Sequence, residues 1–350
     1  MIDRTIDARL AQTLRTFPAP RPLKVMEVCG THTVAIRRAG IQQLLPPQVR
    51  LVSGPGCPVC VTPDSFIDRA IFLARQGYLI VTFGDMLTVP GRESSLAQER
   101  TAGADIRVVY SPLEALEIAR DSNRQVVFLA VGFETTAPVI ALTLLQARKK
   151  KLANFFILPG NKLIPPAMTA LLTERTIIDG FLLPGHVSTV LGKDGYAFLK
   201  PWAIPGVISG FTPAEIISSL LRLLELIVHG RGTVENNYRR VVRDQGNPRS
   251  RAAIAKVFTV ADSDWRGLGN IPASGLELRS EFARFDIGQR VAWPKEKQRP
   301  AGHCRCGDVL RGTIDPPQCP QFGRGCKPGH PKGPCMVSSE GSCAAWYTYG

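Results

Sequence analysis

The sequence has no long hydrophobic run and no recognisable nucleotide-binding or serine-hydrolase motif. No apolar stretch in its 350 residues approaches the roughly 20 residues that span a bilayer. Residues 1–4 (MIDR) lead into a charged segment and not into an apolar signal segment. We therefore expect a cytoplasmic protein with no membrane partner. Without a Walker loop, a GxGxxG fingerprint or Ser-His-Asp order, nucleotide hydrolysis and serine chemistry lack support.

Acidic residues are in the minority. The 43 Lys and Arg residues outnumber the 29 Asp and Glu residues, so the formal net charge is +14. The basic residues are scattered, and the tight run at residues 148–151 (RKKK) is typical of the solvated end of a helix. We find no aromatic residues stacked beside basic ones and no nucleic-acid motif, so we expect no nucleic-acid partner. An acidic protein partner or plain solubility explains the charge at least as well.

Cysteine, by contrast, is plentiful. The nine cysteines are expected to stay reduced in the cytoplasm, and an odd number argues against a fully paired disulfide framework. Metal binding or redox chemistry is the better expectation for them. Two of the nine, Cys57 and Cys60, form a CxxC dithiol within residues 54–60 (GPGCPVC), between an apolar segment and a helix start at residues 62–64.

A dithiol in this position is typical of a redox pair or of half a metal site. Proline restrains the loop, and a nearby helix N-terminus is expected to favour the thiolate form. Two buried structural thiols are the alternative, because free cysteine is usually buried and inert.

The last fifty residues contain six cysteines: Cys304, Cys306, Cys319, Cys326, Cys335 and Cys343. Four thiolates in a short, turn-rich segment are what a [4Fe–4S] cluster requires. Shorter loops favour a compact set, consisting of Cys319, Cys326, Cys335 and Cys343. A second set of cluster ligands, in which Cys304 replaces Cys335, is also compatible with the sequence. Zinc is the alternative metal, but structural zinc sites prefer paired CxxC knuckles, and this segment has none.

Short apolar segments alternate with helical patterns through the first two thirds of the chain. The segments at residues 24–28, 50–53, 78–83 and 106–110 are each followed by a helical pattern, and the alternation restarts at residues 126–131. Such alternation predicts mostly parallel sheets. We predict the α/β class, with two similar parallel-sheet (Rossmann-like) lobes plus a small C-terminal Cys-rich iron–sulfur domain.

The predicted boundaries divide the chain into three parts. Residues 20–122 are expected to form the first α/β lobe, with Cys29 and the CxxC loop, and residues 123–230 the second. Residues 1–19 and 231–350 are expected to form a helical and irregular iron–sulfur domain. Amphipathic spacing predicts helices over residues 3–17 and 213–228, the latter with a strong Thr-Pro start.

The Gly-, Thr- and Pro-rich motifs fall at the carboxyl ends of the predicted strands, where parallel sheets bind ligands. Cys29 follows the first strand and precedes a helix start, where the helix N-terminus is expected to favour its thiolate form. If the first two strands are neighbours, its sulfur and those of Cys57 and Cys60 converge on one edge. His32, one helical turn from Cys29, could orient a ligand or move a proton, or could be a backbone-bonded cap histidine.

Three other polar residues also follow strands. His186 suits a loop-packing role as well as a functional one. Asp85 and Glu134 could bind a ligand or cap helices, and capping is the safer interpretation.

Six motifs occur in order along the chain: residues 29–33 (CGTHT), 54–60 (GPGCPVC), 83–86 (FGDM), 132–136 (GFETT), 184–188 (PGHVS) and 335–341 (CMVSSEG). Together they resemble the HypD family of [NiFe] hydrogenase maturation factors. The resemblance extends over nearly the whole chain, and no motif is missing.

The resemblance implies a scaffold that works with a small HypC-type chaperone and a HypE-type cyanide donor to assemble the Fe(CN)2CO centre of the hydrogenase. Cys29 would then hold the iron together with a cysteine of the partner. Cys57 and Cys60 would be a redox-active or iron-binding dithiol, and the C-terminal cluster would supply electrons. Iron with cyanide and carbonyl ligands is electron-rich, and thiolates donate electron density.

Two other functions are consistent with these residues. One is an iron–sulfur-dependent dithiol/disulfide oxidoreductase, in which Cys57 and Cys60 cycle between the reduced and oxidised forms. The other is a zinc-stabilised binding module.

Overall fold

A computed structural model of the chain describes residues 6–174, 177–294 and 304–350. The strands in this part of the chain are β1 (Leu23–Glu27), β2 (Val49–Ser53), β3 (Leu79–Thr82), β4 (Ile106–Val108), β5 (Val126–Gly132), β6 (Phe155–Asn161), β7 (Gly180–Pro184), β8 (Gly206–Ser209), β9 (Val234–Asn236), β10 (Phe258–Trp265) and β11 (Gly269–Leu278).

The α-helices are α1 (Ala8–Arg15), α2 (Gly30–Arg38), α3 (Asp64–Arg75), α4 (Leu96–Thr101), α5 (Pro112–Arg120), α6 (Ala137–Lys149), α7 (Ile164–Thr173), α8 (Gly185–Leu191), α9 (Pro213–Val228), α10 (Pro248–Val257), α11 (Cys306–Leu310) and α12 (Ser342–Tyr349). Short 3-10 turns occur at Ile41–Leu44, Gly84–Met86, Asp194–Trp202, Ser280–Phe285, Ile287–Gln289, Pro316–Gln318 and Pro334–Met336.

Two parallel sheets organise the fold. In sheet A the strand order is β2-β1-β7-β8-β9, and in sheet B it is β4-β3-β5-β6. Every neighbouring pair in these two sheets is parallel, whereas β10 and β11 form an antiparallel ribbon. The predicted α/β class with two Rossmann-like lobes is therefore confirmed.

The two sheets are not consecutive halves of the chain, so the predicted lobes at residues 20–122 and 123–230 need correction. Strand β1 pairs with β7, which places Glu27 beside Leu182, and β3 pairs with β5. Sheet A thus takes two strands from before sheet B and three from after it. The strand–helix alternation continues where the chain passes from sheet A to sheet B and where it returns to sheet A. Each strand–helix unit has the same local sequence pattern whichever sheet its strand joins.

Residues 1–19 and 231–350 do not form one separate domain either. Helix α1 packs against α9, and Leu14 lies in the same hydrophobic cluster as Leu224 of α9, on sheet A. Strand β11 contacts β6 and α7, so the antiparallel β10–β11 ribbon packs against sheet B. Helix α1 begins at Ala8, with Asp7 accepting backbone N–H bonds as its cap, and residues 3–5 of the predicted helix lie outside the described residues.

Helix α9 matches the predicted bounds of residues 213–228. A capping box between Thr212 and Glu215 satisfies its first N–H groups, and Pro213 supplies a pre-set φ at the first turn. Its apolar face is buried against β7 and β8, and that burial provides most of the stability of such a helix.

Residues from sheet A and from the connections of sheet B share one hydrophobic cluster. Phe181 comes from sheet A, and Phe133 comes from the loop that follows β5 of sheet B. Val28, Val187 and Tyr196 join them in the same buried cluster. Motifs that are far apart in the sequence are therefore placed around one core.

Candidate functional site

The loops that follow β1 and β2 touch each other at the backbone. The two strands are parallel neighbours, which confirms the condition for bringing Cys29 and the CxxC loop to one edge. Gly30 N–H donates to Gly56 O at 2.9 Å. A Cβ placed on Gly56 would lie 2.5 Å from Cys29 Cα and closer still to Cys29 N. Glycine at position 56 therefore permits the close approach of the two loops.

Cys57 and Cys60 form a disulfide at the start of the turn that leads into α3. The expectation that all nine cysteines stay reduced is therefore wrong for this pair. Both residues are buried, and Cys60 N–H donates to Cys57 Sγ at 3.1 Å. A CxxC disulfide is the form that a dithiol redox pair takes when oxidised.

Cys29 is a buried free thiol at the N-cap position of α2. Burial, and next the Glu340 carboxyl, raise its pKa to about 12. The expected stabilisation of the thiolate by the helix N-terminus is thus outweighed by desolvation. Deprotonation of Cys29 requires a compensating positive charge, which a metal ion supplies on binding.

Glu27, at the end of β1, holds the backbone of this cysteine. One carboxyl oxygen accepts from Cys29 N–H at 3.0 Å, and the other accepts from Thr33 Oγ1 at 2.5 Å. Burial raises the pKa of Glu27 to about 8. Sequence reasoning missed this residue. An acidic side chain between the apolar residues Met26 and Val28, at the end of a strand, was the available signal.

His32 lies fully buried and turned toward the loop after β8. Its Nε2 is 2.8 Å from Gly210 O, and because a carbonyl only accepts, Nε2 carries the proton. Burial lowers its pKa to about 4, so the ring is neutral. The ring also stacks on Phe211, which stacks in turn on the more exposed His186. This geometry favours the structural interpretation of His32, and loop packing for His186.

Glu134 acts as a cap, although not for its own helix. Its Oε1 accepts from the N–H of Ile164, the first residue of α7, at 2.9 Å. Its Oε2 is buried and has no hydrogen-bond partner among the described residues. Burial raises the pKa of Glu134 to about 7.

Asp85 links the end of β3 to the C-terminal motif. Its Oδ2 accepts from Ser339 Oγ at 2.7 Å, from Ser339 N at 3.1 Å and from Ser338 Oγ at 3.3 Å. Ser338 Oγ in turn lies 3.4 Å from Cys57 Sγ. Residues 335–341 therefore reach the disulfide through Ser338.

The same C-terminal motif also contacts α2. Thr31 Oγ1 donates to Glu340 Oε1 at 2.5 Å, and a Cβ on Gly30 would meet Glu340 Cβ at 2.5 Å. No role was predicted for Ser338 and Glu340. Their position a few residues after Cys335 in residues 335–341 was the signal that could have identified them.

The six C-terminal cysteines are brought into one region. Cys319, Cys326 and Cys335 are buried, whereas the other three are half-buried. Burial and the neighbouring thiols Cys343 and Cys304 raise the pKa of Cys335. Burial and the same Cys304 also raise the pKa of Cys343. Cys304 therefore lies among the members of the compact set.

The donor chemistry of this region suits an iron–sulfur cluster. Buried thiols, Gly and Pro turns and few competing polar groups are what such clusters use. Members of both the compact set and the set containing Cys304 lie in this region. Within residues 6–174, 177–294 and 304–350, no group of three or more His, Cys, Asp or Glu side chains is arranged to hold a single metal ion.

The structure is that of a thiol-rich α/β protein. It has two parallel sheets, a disulfide-bonded CxxC pair at a sheet edge and a cysteine-rich segment packed beside that pair. The HypD family model, described as "Hydrogenase formation hypA family", matches residues 4–350. The chain belongs to the HypD family.

Curated relatives agree with this assignment. The chain is 46% identical over 341 residues to "Hydrogenase maturation factor HypD" of Azotobacter vinelandii, covering 94% of this chain and 90% of the relative. It is 44% identical to the protein of that name in Escherichia coli, with coverages of 95% and 91%. For the one in Rhodobacter capsulatus, the identity is 45% and the coverages are 98% and 93%. None of the helices in the described residues has the length and apolarity to cross a bilayer.

Proposed function

We propose that this chain is a hydrogenase maturation factor, a scaffold on which the Fe(CN)2CO unit is assembled together with a HypC-type chaperone and a HypE-type cyanide donor. The observation that carries the proposal is the backbone contact between the Cys29 loop and the Cys57–Cys60 loop at one sheet edge. The names of the relatives support the same function.

In this proposal the iron is the substrate of the scaffold, and the Cys29 sulfur is the ligand that this chain supplies to it. Cys29 is held as a thiol, so iron binding and loss of the thiol proton go together. Glu27 fixes the backbone of Cys29. The resulting thiolate donates electron density to iron that carries cyanide and carbon monoxide.

In this proposal the Cys57–Cys60 disulfide has a separate redox role. Reduction of Cys57–Cys60 by two electrons and two protons gives two thiols beside Cys29. These thiols can bind the iron or return the electrons. Cys335 lies in the same hydrophobic core as both residues, so the cysteine-rich segment is adjacent to the pair. The compact set, or the set with Cys304, would hold a [4Fe–4S] cluster, which when bound supplies electrons one at a time.

The test is anaerobic purification of the chain with its HypC-type partner, followed by metal analysis and infrared spectroscopy in the range of bound cyanide and carbon monoxide. We expect diatomic-ligand bands in the wild type and none in Cys29→Ala. Cys306→Ala is the matched control, because this cysteine belongs to neither ligand set, and it should keep the bands.

Unchanged bands and normal maturation with Cys29→Ala would show that the assembly site lies elsewhere. A wild-type complex without such bands that still reduces disulfides would favour the dithiol oxidoreductase instead.

A further inference from the structure

The C-terminal cysteine-rich segment has an unbalanced charge. Residues 316–339 contain Arg324, Lys327 and Lys332 and not one Asp or Glu. The acids that bound the stretch are engaged elsewhere, because Asp315 pairs with Arg50 and Glu340 accepts from Thr31. Residues 341–350 carry no charged side chain. The positive charge of this surface is therefore not neutralised by its own sequence.

The three cations are exposed and have no ion-pair partner among the described residues. Of these side chains, that of Lys332 has a polar contact: its Nζ lies 3.0 Å from the ring nitrogen Nε2 of His330. Arginines in other parts of the chain form short ion pairs, for example Arg222 with Glu235 at 2.7 Å. We call Arg324, Lys327 and Lys332, together with Tyr347, the basic patch.

Two cations of the basic patch adjoin the candidate cluster ligand Cys326. Lys332 N–H donates to Cys326 Sγ at 3.3 Å, and Lys327 is the next residue after Cys326. The Phe322 ring, bridged to Cys326 through the backbone, contacts Tyr347 with ring centroids 6.2 Å apart. Tyr347 is 45% exposed and belongs to α12, the helix that also carries Cys343.

We propose that the basic patch is the docking surface of a small acidic electron-carrier protein, such as an acidic iron–sulfur protein, and that electrons enter the cysteine-rich segment there. This rests on the proposed function, which requires a cluster at these thiols. One electron leaves the reduced carrier and enters the cluster, and no bond is made or broken.

Three observations favour this occupant. The candidate ligands Cys319, Cys326 and Cys335 are buried, so a carrier protein has to come close to the surface above them in order to exchange electrons. Unpaired cations steer an acidic partner electrostatically and raise its rate of association. Exposed tyrosine and arginine are the residue types enriched at the centres of protein interfaces.

The experiment compares two double variants with the same change in charge. Lys327→Glu/Lys332→Glu reverses the patch, and Lys149→Glu/Lys150→Glu reverses the exposed basic end of α6, a helix that packs against α5 and α10. The probe is an acidic plant-type ferredoxin in which gallium replaces iron, so that binding is measured by calorimetry without electron transfer.

We expect the patch variant to bind about tenfold or more weakly than the wild type at low ionic strength, and the control to change by less than about threefold. The difference should shrink between about 0.01 and 0.1 M salt, where the Debye length falls from about 30 to about 10 Å. In stopped-flow reduction by the native ferredoxin, the second-order rate constant should fall in parallel, whereas reduction by dithionite should not.

Equal weakening in both variants, or unchanged binding in the patch variant, would overturn the docking surface. The calorimetry needs no cluster, so the two proposals fail separately. A purified chain without inorganic sulfide contradicts the cluster and the electron-entry role. If a chain that contains the cluster binds ferredoxin equally well with and without the patch substitutions, only the docking surface is contradicted.

Discussion

Substitution of one glycine tests whether contact between the two loops creates the site. In Gly56→Ala, the new Cβ would lie 2.5 Å from Cys29 Cα, whereas ordinary contacts are 3.4–4 Å. The obstructing atoms are backbone and cannot rotate away. The CxxC loop and the Cys29 loop must therefore separate by about 1 Å, a shift that removes favourable packing contacts.

The expected cost follows from two contributions. Overpacking of a tight contact costs about 1–3 kcal/mol, and loss of the Gly30–Gly56 hydrogen bond costs about 0.5–1.5 kcal/mol. We therefore expect the free energy of unfolding to fall by about 2–4 kcal/mol in urea titrations. A misplacement of about 1 Å can also cost about a hundredfold in a reaction that depends on position, so iron loading should be lost.

Gly84→Ala is the matched control, because its Cβ would meet Val108 Cγ1 at an ordinary 3.6 Å. Its unfolding free energy should stay within about 1 kcal/mol of wild type, since Gly→Ala without strain is neutral or slightly stabilising. The reasoning is refuted if Gly56→Ala unfolds at the wild-type urea midpoint and its partner complex keeps the diatomic-ligand bands.

Four further predictions concern other parts of the molecule. Cys319→Ala should lose iron and inorganic sulfide and destabilise the C-terminal segment, and full loading in this variant would contradict both ligand sets. A full cluster in Cys335→Ala together with a lost cluster in Cys304→Ala would show that the compact set is wrong. Burial raises the pKa of Glu134 from its ordinary value of 4.5 to about 7, so its contribution to stability is fully present below about pH 4.5 and is lost as the pH rises through about 7. Glu134→Gln should therefore remove part of the decline in unfolding free energy over that interval, by a few kcal/mol at most, and an unchanged decline would mean that other groups cause it. His32→Phe should cost about 0.5–1.5 kcal/mol, because it removes one of the two hydrogen bonds to the Gly210 carbonyl, which keeps the bond from Ser209 Oγ. It should keep the diatomic-ligand bands, whereas loss of the bands in a folded protein would restore a functional role for His32.

Local features were accessible from the sequence alone. The alternation of short apolar segments with helical patterns predicted parallel sheets, and the Thr-Pro start predicted the bounds of α9. The order of six motifs was sufficient to indicate the family, which the family model matches over residues 4–350. These inferences succeed because helix caps, apolar periodicity and motif spacing are properties of neighbouring residues.

The sequence also determined which residue types are available for chemistry, namely Cys29, the CxxC pair and the C-terminal thiols. Only the tertiary structure decided what surrounds them. Strand β1 pairs with β7, across more than a hundred intervening residues, and Ser338 and Glu340 return to Cys57 and Thr31. The raised pKa of Cys29 reverses the expectation drawn from its helix N-terminus, because desolvation depends on everything packed around the sulfur. Pairing, burial and electrostatic environment are sums over residues distant in sequence, and no local pattern encodes them.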